Sequence, residues 1–272
     1  MVNKLSPWER ILIARHPKRP TFTDFLNELF DNFVELHGDR LFGDDPAIIA
    51  GLGTFENESV VIIGQEKGKS IQEKMKRNFG MPHPEGYRKA LRAMKLAEKF
   101  SLPVISFIDT AGAYPGIGAE ERGQAWAIAN NLKEMSLLET PIIVVVLSEG
   151  GSGGALGIGV GDYIMILENA YYSVISPEGC ASILFRDSSK APEAAEALKI
   201  TSEELLKLGL VDEVIPEPNG GAHEDFRGTV ENLKKSLSKT IKKYKNKDLK
   251  TLIEERWIKL RNYGRFLEED ER

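Results

Sequence analysis

Along the chain, unbroken aliphatic runs take turns with stretches in which apolar residues recur every three or four positions. Residues 142–147 read Ile-Ile-Val-Val-Val-Leu, with Pro141 before them and Gly150 soon after. Such a run predicts a strand buried on both faces. Residues 48–55 and 60–65 read as two strands joined around Glu56-Asn57-Glu58, a hairpin. Further strands are predicted at 103–108, 163–167 and 171–175, with a strand-like segment at 209–216. Helical spacing predicts a short helix after Pro7 and a longer one carrying Phe22, Phe25, Leu26, Leu29, Phe30, Phe33 and Leu36. Thr21 with Asp24 three residues on is a capping signal for that second helix. More helices are expected at 85–100, 120–135, 177–185, 192–198 and 201–208. Two lysine-rich helices, 227–244 and 248–263, have sparse apolar spacing and read as a peripheral arm. Strand, strand, helix is the recurring order, which makes the fold class α/β.

Composition narrows the picture. A chain of 272 residues can bury about three quarters of its unfolded surface. Hydrophobic residues at 42% and charged residues at 28% fit a globular protein. The net charge of −5 provides no global basic field for nucleic acid. The single cysteine, Cys180, excludes an internal disulfide and a cysteine metal cluster. His16, His37, His83 and His223 are scattered, and none pairs with another at helical spacing, so no metal set is expected. No apolar run is long enough to span a membrane. Residues 1–19 carry charges throughout and have no signal-peptide core, so a cytoplasmic location is the expectation.

The chemistry concentrates where two buried strands end in glycine. After 142–147 come Gly150, Gly151, Ser152, Gly153 and Gly154, and then an apolar pattern resumes. After 103–108 comes Asp109-Thr110-Ala111-Gly112-Ala113-Tyr114-Pro115-Gly116. Each reads as strand, glycine turn, helix. Glycine lets the backbone approach a ligand closely, and the first amides of a helix lack internal partners. Together they can form a nest of N–H donors for an anion. Both turns fall at one edge of the sheet.

Three other motifs compete. Gly150-Gly151-Ser152-Gly153-Gly154 also fits a nucleophile elbow, and Asp212 and His223 follow in the order of a hydrolase triad. No His-Gly-Gly loop lies upstream to support it. A dinucleotide fingerprint fails because Leu156 stands where glycine or alanine is needed. Gly68-Lys69-Ser70 imitates a phosphate loop, but Ile63 occupies the position of its first glycine. Lys67, Lys69, Lys74, Lys76 and Arg77 remain as a basic cluster, either a phosphate-binding surface or a solvated face.

Several long segments carry a family resemblance. The 109–116 segment continues into Gly118-Ala119-Glu120-Glu121-Arg122-Gly123-Gln124. Glu149-Gly150-Gly151-Ser152-Gly153-Gly154-Ala155-Leu156 is the next, followed by Ser173-Val174-Ile175-Ser176-Pro177-Glu178-Gly179-Cys180. Arg77-Asn78-Phe79-Gly80-Met81-Pro82, Pro84-Glu85-Gly86-Tyr87-Arg88 and Gly220-Gly221-Ala222-His223 agree as well. In this order they resemble the alpha subunits of bacterial acetyl-coenzyme A carboxylase carboxyltransferase.

The resemblance implies the crotonase fold, a spiral of strand–strand–helix units with peripheral N- and C-terminal helices. It implies one carboxyltransferase domain, with a helical segment at 1–45, a core at 46–226 and a helical arm at 227–272. The implied activity moves a carboxyl group from carboxybiotin to acetyl-coenzyme A, giving malonyl-coenzyme A for fatty acid synthesis. Biotin would be covalently held on a biotin carboxyl carrier protein, and ATP would be used by a separate biotin carboxylase. A beta subunit would complete an α2β2 assembly, with no metal in this chain. The resemblance gives Gly153 and Gly154 the role of amide donors to the ureido oxygen of biotin. Gly112, Ala113, Gly150 and Gly151 would shape the same pocket. Ser152 would then be a turn residue, and Gly154→Val is expected to block transfer while leaving the fold intact. The alternatives are a serine hydrolase using Ser152 and a scaffold that binds acyl-coenzyme A or a partner without turnover.

Overall fold

The computed structural model describes residues 5–264; the outermost parts of the 1–45 and 227–272 segments lie outside them. The chain opens with α1 (Pro7–Ala14) and α2 (Phe22–Leu29), followed by β1 (Asp31–Glu35) and the hairpin β2 (Ile48–Phe55) and β3 (Glu58–Gln65). Next come α3 (Ile71–Lys76), α4 (Pro84–Lys99), β4 (Val104–Thr110), α5 (Ile117–Glu121) and α6 (Gln124–Leu137). The centre is β5 (Ile142–Gly151), leading into α7 (Ser152–Leu156), β6 (Tyr163–Leu167) and β7 (Tyr171–Ser173). Then α8 (Pro177–Leu184), α9 (Ala191–Leu198), α10 (Ser202–Lys207), β8 (Glu213–Ile215), α11 (Phe226–Lys245) and α12 (Leu249–Arg261) complete it.

The strands form one sheet in the order β1-β2-β3-β4-β5-β6-β8, with β7 paired to the far end of β5. The hairpin is antiparallel, and every contact from β3 onward is parallel. Glu56 and Asn57 make its turn with left-handed backbone, φ 45° and 73°, which suits the twist of a tight hairpin. Every residue of β4 and β5 is buried, as the aliphatic runs predict. Parallel strands side by side bring their carboxyl ends to one edge, where β3 and β4 open into loops and β5 runs directly into α7.

Two helices differ from expectation. The apolar spacing from Phe22 predicts one helix through Leu36, but α2 stops at Leu29 and residues 31–35 pair with β2 as a strand. The capping box of Thr21 and Asp24 is present, so the start was legible. The end was hidden because Phe30 and Phe33 suit either period. Phe30 packs on Phe55 and Phe107, and Asn32 turns the chain with φ 53°. The helix expected at 120–135 is two, α5 and α6, broken by Gly123 at φ 83°.

The lysine-rich α11 presents one apolar stripe. Leu233, Leu237 and Ile241 join the main core, and its lysines stay outward. α12 is anchored by Arg256, whose guanidinium is fully buried. It binds both Asp162 oxygens at 2.8 Å and the carbonyls of Met135, Leu138 and Thr140. Asp162 also accepts from the Ile142 amide at 2.7 Å, tying the helix to the start of β5. No described helix is long and apolar enough to cross a membrane.

Candidate active site at two apposed glycine turns

The turn after β5 and the loop after β4 touch backbone to backbone. A Cβ added at Gly154 would lie 2.3 Å from the Gly112 carbonyl carbon and 2.7 Å from the Ala113 nitrogen. One added at Gly151 would lie 2.1 Å from the Ala111 oxygen. Both positions require glycine because real side-chain carbons never come so close. Gly153 differs, since a Cβ there meets only the tip of Ile128 at 3.3 Å, and at Gly112 it meets nothing within 4 Å. Gly150 sits in register with Thr110 on one side and Tyr172 on the other. Gly150 and Gly151 are thus buried strand residues that let the two loops close on each other.

This geometry corrects the expectation for Gly154→Val. The obstacle to a side chain at Gly154 is the backbone of the neighbouring loop, so that substitution attacks the fold as well as any ligand.

The donors differ in availability. The amides of Gly153 and Gly154 stand in the first turn of α7 and have no acceptor within it. The Gly112 amide is taken by Thr110 Oγ1 at 3.1 Å, whereas the Ala113 amide has no acceptor among the described residues. Tyr114 then donates its amide to Pro82 and stacks on His83 with ring centroids 4.2 Å apart. Gln124 Nε2 binds the carbonyls of both Pro82 and Tyr114. The loop is therefore held on its outer side as well.

Beside the turns lies a cluster that motif reading missed. Lys67, just past β3, bridges Asp109 at 2.8 Å and Glu149 at 2.6 Å. Glu149 also accepts from Arg15 Nε at 2.8 Å and from the Tyr171 hydroxyl. Burial opposes the Lys67 charge, but the two carboxylates outweigh it and raise its pKa. Burial alone would raise Glu149, yet Lys67, Tyr171 and Arg15 hold its carboxyl at about 2, against an ordinary 4.5. This network borders a cleft of about 240 Å³ that Arg15, His16, Lys69 and Phe79 also line. The expected basic cluster is divided by it: Lys67 is engaged inward, Lys69 pairs with Asp24, and Arg77 binds the Pro46 carbonyl.

The hydrolase triad does not assemble. Ser152 has left-handed backbone, φ 47°, as an elbow serine would. It lines an apolar cavity of about 360 Å³ with Leu156, Tyr172 and Val174, and neither Asp212 nor His223 reaches that cavity. Asp212 caps the Ile164 amide and pairs with Lys259. His223 packs its ring against that of His16, with centroids 4.2 Å apart and planes tilted by 37°. Among the described residues no cluster of histidine, cysteine and carboxylates is arranged to hold a metal.

Solved structures share this architecture. Transcarboxylase 12S with methylmalonyl-coenzyme A bound superposes with a TM-score of 0.69 at 19% identity, over 86% of this chain. The match spans 44% of the transcarboxylase chain, less than half of it. A Pseudomonas malonate decarboxylase hetero-tetramer in complex with coenzyme A gives 0.64 at 13% identity, over 79% of this chain and 86% of that one. The fold is thus the crotonase spiral that these structures share. Sequence fixes the family within that class. The model of the acetyl co-enzyme A carboxylase carboxyltransferase-like family matches residues 1–264. The acetyl-coenzyme A carboxylase carboxyl transferase subunit alpha of a Thermus thermophilus strain is 54% identical, over 97% of this chain and 85% of its own length. That of Geobacter sulfurreducens is 56% identical, over 98% and 83%. The chain belongs to the family of acetyl-coenzyme A carboxylase carboxyl transferase alpha subunits.

Proposed function

We propose that the chain transfers the carboxyl group of carboxybiotin to acetyl-coenzyme A, forming malonyl-coenzyme A, the first committed product of fatty acid synthesis. The observation that supports this most is the set of unpartnered amides at Gly153, Gly154 and Ala113, gathered where the two loops touch. Carboxybiotin arrives as a substrate on its carrier protein, supplied by a separate ATP-using biotin carboxylase. When its carboxyl group leaves, negative charge collects on the ureido oxygen. Fixed amides need no reorganisation to meet that charge, and each well-placed donor lowers a barrier by about 2.7–4 kcal/mol. Gly153 and Gly154 are the principal donors. Ala113 is the donor from the facing loop, and Gly112, Gly150 and Gly151 give the pocket its shape. The biotin nitrogen would take a methyl proton of acetyl-coenzyme A, and the enolate carbon so formed would take up the released carbon dioxide to give malonyl-coenzyme A, so this chain need supply no general base.

The site is completed by a beta subunit in an α2β2 assembly. Large apolar side chains stand exposed near both turns: Ile117 at 80%, Trp126 at 61% and Val174 at 78%. Ile117 opens the helix after the first loop, and Val174 lines the cavity beside Ser152. In the proposed assembly the beta subunit covers these side chains. Residues 46–226 form the catalytic core, flanked by an N-terminal segment of two helices and the edge strand β1 and by the C-terminal helices, and the assembly works in the cytoplasm. The test is biotin-dependent decarboxylation of malonyl-coenzyme A by the assembled complex. Ser152→Ala keeps that activity under this reading. Its abolition in a correctly assembled complex contradicts the assignment of Ser152 as a turn residue.

A further inference from the structure

We infer that Gln65 is a positioning residue that locks the two glycine loops at one separation; the inference rests on the function proposed above. Gln65 is the last residue of β3 and is fully buried. Its side-chain amide reaches two elements beyond its own, β4 and the short helix α7. Nε2 donates to the Gly154 carbonyl at 2.7 Å, and Oε1 accepts from the Asp109 amide at 3.1 Å. Asp109 lies at the end of β4, just ahead of Ala113, and Gly154 belongs to the turn after β5. One side chain therefore holds the base of one donor loop and the carbonyl within the other.

The chemistry of the group matters. A carboxamide has one end that donates and one that accepts, and these two contacts need one of each. Glutamate at the same place offers only acceptors when ionised, which sets an oxygen against the Gly154 carbonyl. Methionine keeps the shape and offers neither. The anchor is itself fixed, because Gln65 pairs with Ile48 across the hairpin. Gln65 does not line either of the two cavities beside the turns, so it acts through the backbone it holds.

The experiment uses the complex with the beta subunit and follows biotin-dependent malonyl-coenzyme A decarboxylation. Gln65→Met and Gln65→Glu are each expected to lower kcat by about 100-fold, the loss that a small misplacement of reacting groups brings. KM for malonyl-coenzyme A should stay within about twofold of the wild type, because ground-state binding is untouched. The loss should combine non-additively with that of Gly153→Ala, since both act through one turn. A kcat near that of the wild type in either assembled variant overturns the inference. So does a fall in kcat that merely tracks lost assembly, which is a structural role. If Gln65→Met fails to assemble, Gln65→Glu is read in its place. Amide hydrogen exchange separates this inference from the reaction assigned. The Asp109 amide should exchange faster in Gln65→Met than in the wild type, whatever the activity. A wild-type complex without biotin-dependent turnover contradicts the reaction; unchanged exchange at Asp109 contradicts the clamp.

Discussion

Gly153 and Gly154 are neighbours of the same residue type, yet they face different constraints. A Cβ at Gly154 strikes the backbone of Gly112, whereas one at Gly153 presses only on the end of Ile128. Backbone cannot move aside cheaply, and a flexible side-chain tip can. Gly154→Ala is therefore expected to cost roughly 3 kcal/mol of stability, and Gly153→Ala within about 1 kcal/mol. Thermal or urea unfolding of the two variants checks this, and equal costs would contradict the contact between the loops. Glu149 gives a second prediction. Its carboxyl is held at about 2 in the folded chain and titrates at its ordinary 4.5 when unfolded. A depressed value means stability that is present above 4.5 and lost as pH falls toward 2. The stability gap between wild type and Glu149→Gln should shrink over that window, from on the order of 3 kcal/mol. A gap that stays constant would show that Glu149 is not held in its charged form. The glycine turns were legible in the sequence because spacing alone marks them. The partners of Glu149 were not: Lys67 is 82 positions away in sequence, and local pattern carries no trace of such a pairing.

At the scale of elements, aliphatic runs and glycine punctuation located the strands from β2 to β6, because burial on both faces leaves a sequence little choice. The boundary between α2 and β1 was hidden, because Phe30 and Phe33 fit a helix face and a strand face equally well. What decided it was the unpaired edge of β2, a property of the assembled sheet. The packing of α2 yields a coupling test. A Cβ at Gly64 would lie 2.4 Å from the Phe22 ring, so Gly64→Ala should destabilise by about 2 kcal/mol. Phe22→Ala removes the ring atoms at that distance, Cγ included, so the added methyl no longer meets them, and the pair should be less costly than the sum of the singles. Strict additivity in unfolding measurements would place α2 elsewhere. Arg256 tests the attachment of α12. Arg256→Met leaves Asp162 buried without its partner and frees three carbonyls, an expected loss of about 3–5 kcal/mol. A loss within about 1 kcal/mol would mean that α12 is not anchored there.

At the scale of the whole molecule, the proposed function gives this chain half of a chemical site. Under the proposed function the amides at its two glycine turns are the donors for the charge left on biotin, and the exposed apolar side chains face the partner. The sequence carries the family through long motifs in order, and with it the fold. It does not display the exposure of Ile117, Trp126 and Val174, which follows from where the strands end. Trp126→Asp is expected to leave the isolated chain folded and to weaken its association with the beta subunit by at least about tenfold, by analogy with buried aromatic anchors at interfaces. Titration followed by gel filtration would register it. Unchanged association would move the interface to another face.

The most direct test of the account is malonyl-coenzyme A decarboxylation in the presence of biotin, measured with this chain alone and with a beta subunit added. The account predicts no turnover from the chain alone and biotin-dependent turnover from the mixture. Turnover by the chain alone, or none from a mixture shown by gel filtration to have assembled, would contradict it.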